Sequence, residues 1–342
     1  MDKVLILGAG VMGSALAVHL GKKGHKINLW GTQWDGKMID EMIKTKHHSL
    51  LDVDIPDRVD FFYEDELERA FDDVKLVILA VLSQGMDEIS KKIKPHLKAN
   101  HIILTATKGI DGRSLTTMTG LLEANLPDQL KGKTSFATLG GPIIAKELVQ
   151  DIYTEAIFAS KDISIAEYLR NTFESPKFRA NITSDIAGVE LCAALKNSYA
   201  ITMGILEGLE GGYSNPRAAI MARGSMEMAT IVKAYGGRGE TALGLAGVGD
   251  YYVTSQGGRN GRFGYYLGQG MSVEEALAKM NNSPVEGLSA TLNGFKLLKG
   301  LEKEGSLDIR RELPLFLETY NILYENKPIK EAMNSYWISR SF

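Results

Sequence analysis

Val4-Leu5-Ile6-Leu7 runs directly into Gly8-Ala9-Gly10-Val11-Met12-Gly13 and from there into a helical pattern. No other stretch restricts the possible folds as severely. Three glycines at this spacing, after a strand and at the start of a helix, divide the geometric work. Gly8 permits the tight turn, Gly10 lets the backbone approach a pyrophosphate, and Gly13 lets helix and strand pack closely. The N–H groups at the helix start then meet phosphate charge.

The flanking pattern supplies the context such a turn needs. Strands are expected at Val4–Leu7, Lys26–Trp30, Val59–Phe62, Leu76–Ala80, His101–Leu104, Ser135–Thr138 and Glu155–Ala159, with helical patterns between most of them. That alternation is the signature of a parallel sheet covered on both faces. It ends near Ile182. Beyond it lie helical periodicity and glycine-rich turns without a strand, with helices expected over 186–209, 216–235, 262–281, 288–303 and 313–325. Asp185 is placed to cap the first of these. The expectation is an α/β, doubly wound domain over 1–185 followed by an all-α domain over 186–342, with no low-complexity linker between them.

Bulk properties narrow the function classes. A chain of 342 residues suits two cores better than one. A net charge of −3 gives no global basic field for nucleic acid or an anionic membrane. Attraction for an anionic substrate must therefore come from a few local groups. The single cysteine, Cys192, excludes an internal disulfide and a cysteine-based zinc site, and it reads as a small buried apolar residue. No metal site is expected. No apolar run is long enough to span a bilayer, and Val4–Leu20 carries phosphate-loop glycines where a signal core would not. A cytoplasmic location follows as the expectation.

The chemistry points to Lys196. Between residues 186 and 206 the charged residues are Glu190 and Lys196. A lysine in the middle of so apolar a helix is partly desolvated, which lowers its pKa toward neutrality and suits it to acid–base exchange with an alcohol–ketone pair. The plainer alternatives are a lysine snorkelling to the surface or pairing with Glu190. Thr105-Ala106-Thr107-Lys108-Gly109 places a second lysine just beyond a strand, at the carboxyl edge where open α/β sheets bind ligands. Asp250 and Thr254, four residues apart, share one face of a helix. Gln256-Gly257-Gly258-Arg259-Asn260-Gly261-Arg262 offers flexible backbone, a guanidinium and an amide at a helix start, the parts of a phosphate cradle.

These motifs, in this order, resemble the NAD(P)-dependent glycerol-3-phosphate dehydrogenases over nearly the whole chain. The matching stretches are Gly8–Ala17, Thr107-Lys108-Gly109, Gly141-Pro142-Ile143-Ile144-Ala145-Lys146-Glu147, Gly188–Asn197, Leu245–Asp250, Arg259-Asn260-Gly261-Arg262-Phe263-Gly264 and Val285-Glu286-Gly287. The resemblance implies interconversion of sn-glycerol 3-phosphate and dihydroxyacetone phosphate with NAD or NADP, serving glycerophospholipid synthesis, by a homodimer. It implies that Lys196 exchanges a proton with the C2 oxygen, that Lys108 lies beside substrate and cofactor, and that Asp250 and Asn197 orient the reacting groups. Gly141 and Thr254 would line the substrate, and Arg259 and Asn260 would grip its phosphate with Gly258 close by. The cofactor would lie along Gly8, Gly10, Val11, Met12, Gly13 and Thr32, with Lys108, Ala145, Arg259, Val285 and Glu286 touching it elsewhere.

Four stretches depart from the family pattern: Val11-Met12, Leu82-Ser83-Gln84 without a preceding proline, Lys46-His47-His48-Ser49-Leu50, and Thr32 where an arginine often stands. All lie on the cofactor side or the cleft rim, so cofactor preference stays open. At the end of the second strand neither an acidic residue nor an arginine follows directly; Lys37 is a candidate for a 2′-phosphate, but a surface lysine on a helix is the plainer and preferred reading. The rival enzyme class, β-hydroxyacid and 6-phosphogluconate dehydrogenases, carries an asparagine one turn after its lysine, and here that position is Ala200. Another polyol phosphate is a further alternative substrate. A non-catalytic nucleotide sensor would have no need of Lys196 or Asp250.

Overall fold

The computed structural model describes residues 2–338. Ten strands form: β1 (Lys3–Leu7), β2 (Lys26–Trp30), β3 (His47–His48), β4 (Val53–Asp54), β5 (Val59–Phe62), β6 (Leu76–Leu79), β7 (Ile102–Thr105), β8 (Ser135–Gly140), β9 (Thr154–Ser160) and β10 (Phe178–Thr183). Eight of them make one sheet in the order β10-β9-β8-β7-β6-β1-β2-β5, while β3 and β4 pair as a separate antiparallel ribbon. Strands from β5 across to β8 run parallel. Chain order reverses direction beside β1, between β2 and β6, which is the switch point where such sheets open a crevice for ligands.

Alternation along β1 shows how both faces are used. Val4 and Ile6 join one apolar core with residues of the helices Val11–Lys22 and Ile163–Phe173. Leu5 and Leu7 join a second core with Leu67, Met86, Ile89, Ile93 and Leu121, on the helices of the opposite face. A strand buried on both sides must be apolar throughout, hence the unbroken run before the glycines.

Three expectations need correction. β9 runs antiparallel to β8, so the sheet is not parallel throughout. The link between the two strands carries one short helix, Ala145–Val149, and turns back instead of crossing over. β10 is a strand that the sequence did not disclose, because its polar Arg179, Asn181 and Thr183 break up the apolar run of an edge strand paired on one side. The expected helix 262–281 is two helices, Arg259–Gly268 and Val273–Lys279. Gly270, at φ +94°, closes the first, and Ser272 caps the second with a reciprocal bond involving Glu275.

The described residues divide into two compact units, residues 2–108 with 118–186, and residues 109–117 with 187–338. The excursion at 109–117 is closed on itself by an antiparallel bridge between Ile110 and Thr117 and is tied to the helical unit by a bond from Asn293 Nδ2 to the Ile110 carbonyl at 2.9 Å. A contact 183 residues away in sequence leaves no local signal.

In the helical unit the Ile186–Glu210 helix is buried along most of its length. Glycine makes that possible. A Cβ on Gly204 would fall 2.0 Å from the Gly261 carbonyl oxygen, and one on Gly264 would fall 2.1 Å from that of Ile201. The two backbones therefore touch without side chains between them. A second device is polar. Glu227, on the Ser214–Ala234 helix, accepts the Leu315 and Phe316 N–H groups at 2.7 and 2.9 Å, at the start of the Pro314–Tyr324 helix. It also accepts the Tyr199 hydroxyl at 3.0 Å. Burial raises its pKa from 4.5 to about 7, against the opposing pull of those three donors.

A carboxyl group whose folded pKa is raised favours folding most below its unfolded pKa, and that contribution disappears as pH climbs through the folded value. Glu227 should therefore subtract about 3 kcal/mol of stability between about pH 4.5 and 7. The buried His19, with its lowered pKa, acts in the opposite sense as pH falls below 6.5. Urea unfolding across this range should show Glu227→Gln losing its share of the slope while the histidine contribution stays. Parallel wild-type and mutant pH curves would contradict this account.

Candidate active site

In the sheet unit the glycine turn sits at the carboxyl end of β1. Gly8 takes φ +108°, and its N–H donates to the Trp30 carbonyl at 2.8 Å. A Cβ on Gly13 would come within 1.9 Å of the Gly8 carbonyl oxygen, so only glycine allows this helix to start so close to the strand. Gly10 differs. It is extended at φ −69°, and a Cβ there would meet no atom within 4 Å. The space beside it is open, the helix start carries no side-chain cap, and helix geometry leaves the N–H groups of Val11, Met12 and Gly13 without intrahelical acceptors. This is a cradle shaped for phosphate oxygens, so the residues present fit a dinucleotide.

The other strand ends of this unit line the same edge. Thr107 Oγ1 bonds the Val81 carbonyl at 2.8 Å and its N–H bonds Thr105 Oγ1 at 3.1 Å, which pins the end of β7 to the segment after β6. Lys108, half-buried, follows directly. Gly141, at φ +107°, follows β8, and Ala145 is buried at the start of the next helix. Thr32, after β2, gives its N–H and its hydroxyl to Asp35 Oδ2, both at 2.8 Å.

The helical unit assembles a different set. Lys196 is 5% exposed, and its ammonium donates to Asp250 Oδ1 and, at 2.7 Å, to Thr254 Oγ1. The anticipated i, i+4 placement of Asp250 and Thr254 holds on the helix Asp250–Ser255. That helix is preceded by a π-turn over Leu245–Gly249. Two buried tyrosines brace the pair: Tyr251 donates to the Tyr199 carbonyl at 3.2 Å, and Tyr199 in turn donates to Glu227. Burial pushes both phenols up.

Asn197 and Asn260 form a polar lattice that the sequence did not reveal. Asn260 Nδ2 donates to Asn197 Oδ1 at 2.8 Å, and Asn260 Oδ1 accepts the Gly287 N–H at 2.9 Å. Asn260, only 6% exposed, thus ties the Ile186–Glu210 helix to the start of the Glu286–Lys303 helix. The sequence reading gave it the phosphate alone. Sixty-three residues separate the two asparagines, so no spacing rule exposes the contact. Arg259 opens the Arg259–Gly268 helix with its side chain 44% exposed, behind an N-cap at Gly258. Its Nη2 lies 3.5 Å from Glu286 Oε1, and Val285 caps the Glu286 helix. Thr254 links the two regions, since its carbonyl lies 3.1 Å from where a Gly258 Cβ would stand.

Comparison with known proteins matches residues 3–166 to the N-terminal model and 185–334 to the C-terminal model of NAD-dependent glycerol-3-phosphate dehydrogenase. The chain belongs to this family. It is 36% identical over 336 residues to the glycerol-3-phosphate dehydrogenase [NAD(P)+] of Thermoanaerobacter sp. (strain X514), covering 97% of this chain and 96% of that one. The NADP(+)-dependent glycerol-3-phosphate dehydrogenase of Archaeoglobus fulgidus is 32% identical, with 96% and 97% covered. A crystal structure of glycerol-3-phosphate dehydrogenase from Coxiella burnetii superposes with a TM-score of 0.86 at 29% identity, covering 99% of both chains. Membership places this chain among the NAD(P)-dependent oxidoreductases acting on CH–OH groups. Among the described residues no helix is long and apolar enough to cross a membrane.

The contrast between two glycines of the turn is testable. Gly13→Ala should lower stability by about 1–3 kcal/mol, because backbone has to move. Gly10→Ala should leave stability within about 1 kcal/mol and weaken NADH binding, its methyl group filling the open cradle. Thermal scans paired with fluorescence titration of NADH separate the two effects. Equal losses of stability would show that Gly10 is not an open position.

Proposed function

We propose that this chain is an NAD(P)-dependent sn-glycerol-3-phosphate dehydrogenase, with Lys196 exchanging the proton at the C2 oxygen. The observation that carries this reading is the buried Lys196 ammonium, held by Asp250 and Thr254. These acceptors hold the ammonium in one place and orientation. Beside a ketone oxygen, the ammonium supplies the proton when the ketone is reduced, and the neutral amine takes it back on oxidation. Asp250 stabilises the charged form between turnovers, and water returns the proton. A bound nicotinamide supplies or accepts the hydride at C2.

Recognition of the phosphate is assigned to Arg259 and to the N–H groups that open its helix, whose positive end favours an anion. Lys108 and Gly141, at strand ends of the sheet unit, are proposed to contact substrate, and Ala145, Val285 and Glu286 the cofactor. Asn197 is proposed to orient the lysine's surroundings through Asn260. A homodimer in the cytoplasm, supplying glycerol 3-phosphate for glycerophospholipid synthesis, completes the reading.

Purified protein should oxidise NADH or NADPH with dihydroxyacetone phosphate in preference to longer phosphorylated ketones. Inactivity with both cofactors would overturn the assignment. Lys196→Ala should lower kcat by about two to four orders of magnitude while NADH affinity stays nearly constant, and normal turnover would remove this lysine from the chemistry. Arg259→Ala should raise KM for the phosphorylated ketone by about 10–100-fold with little effect on unphosphorylated dihydroxyacetone. Equal effects on the two ketones would count against a phosphate cradle there.

A further inference from the structure

Cofactor preference was open in the sequence because no acidic residue follows β2 directly. The fold changes that picture. The chain leaves β2 at Trp30 and bends within five residues, so that Asp35 returns its carboxylate to the strand end. Oδ2 accepts both the N–H and the hydroxyl of Thr32 at 2.8 Å. The strand end itself is fixed beside the glycine turn by the bond from Gly8 N–H to the Trp30 carbonyl at 2.8 Å and by the register Leu7↔Trp30. The end of the second strand is where a dinucleotide-binding sheet meets the adenosine ribose, and an acidic group there bonds its 2′-hydroxyl. Folding thus brings the Asp35 carboxylate to a strand end where the local sequence has no acidic residue.

The Thr32 hydroxyl spends its hydrogen on Asp35 and accepts from the Trp34 N–H at 3.3 Å. What the pair presents outward is therefore acceptor character, complementary to a hydroxyl donor and repellent to a phosphate. The surroundings carry the same sign. A cavity of about 620 Å³ at this end has Thr32, Glu64, Asp65 and Glu68 in its wall, with Lys92 and His96. Lys92 is committed to Glu64 at 2.6 Å. Lys37, which the sequence offered as a partner for a 2′-phosphate, is exposed; neither it nor Asp35 lines this cavity, whereas Thr32, which holds Asp35, and Gly36, which follows it, do.

We infer that Asp35, held by Thr32, makes this chain select the dinucleotide with a free 2′-hydroxyl, NAD(H), over the 2′-phosphorylated NADP(H). The inference rests on the proposed function only in requiring a nicotinamide dinucleotide at the glycine turn. A 2′-phosphate brings close to two negative charges beside Asp35 and the acidic wall, and a carboxylate that bonds a ribose hydroxyl cannot bond a phosphate oxygen.

Fluorescence titration of the full chain should give NADH a Kd at least about tenfold below that of NADPH, with the gap narrowing as salt rises. Displacement of NADH by ADP-ribose and by 2′-phospho-ADP-ribose should repeat that preference without any turnover. Asp35→Asn should weaken NADH, tighten NADPH and bring the ratio toward one. Equal affinities in the wild type, or a ratio unmoved in a folded Asp35→Asn variant, would overturn the inference while leaving the dehydrogenase reading intact if dihydroxyacetone phosphate is still reduced. Failure of both dinucleotides to bind would overturn both. Because the wild-type ratio decides the matter by itself, misfolding of the variant leaves the test standing.

Discussion

An ammonium and a carboxylate face each other inside a helical bundle, with 5% and 1% of their residues' surfaces exposed. Taking each charge out of water costs several kcal/mol, and only close pairing with further hydrogen bonds offsets that cost. The fold meets the condition in two ways. Thr254 gives the ammonium a second acceptor on the same helical face as Asp250. Tyr251, next to Asp250, and Tyr199, three residues after Lys196, are joined by a bond to backbone and anchored on Glu227. Losing one member of such a pair strands the other charge, at a cost of about 3–5 kcal/mol, whereas the intact pair adds little net stability. Its value lies in fixing where a proton sits.

The two units present polar groups at their strand and helix ends by different means. In the sheet unit the work falls to backbone, with N–H groups at a helix start and glycines that keep side chains out of the way. In the helical unit it falls to side chains, with a half-exposed guanidinium and a lysine held by polar partners. Backbone contact between the Ile186–Glu210 and Arg259–Gly268 helices connects the lysine's helix directly to the one that begins with Arg259.

Much of this was readable in the sequence because the relevant signals are local. A strand, a glycine turn and a helix start are contiguous, and Asp250 and Thr254 are one helical turn apart, so periodicity alone places them on one face. What escaped reading depends on partners distant in the chain. Asn197 and Asn260, Asn293 and Ile110, and Glu227 with Phe316 meet only after folding. β10 escaped because edge pairing tolerates polar residues. The glycines at 204, 208, 264 and 268 fall within helices the sequence led us to expect, but nothing local shows that they mark where two backbones meet. Asp35 was overlooked because the distance that matters there is through space, across a bend of three residues.

The π-turn at Leu245–Gly249, with its bond from Gly249 N–H to the Gly244 carbonyl at 3.2 Å, starts from an extended Gly244 and leads straight into the Asp250 helix, setting that helix's phase. Each residue turns a helix by about 100°, so excising one upstream of Asp250 would swing its carboxylate about a quarter of a circle away from the lysine. Changes of side chain in this segment are governed by packing, but changes of length are governed by phase. Lineages carrying this site should thus vary the composition of the loop far more readily than its residue count.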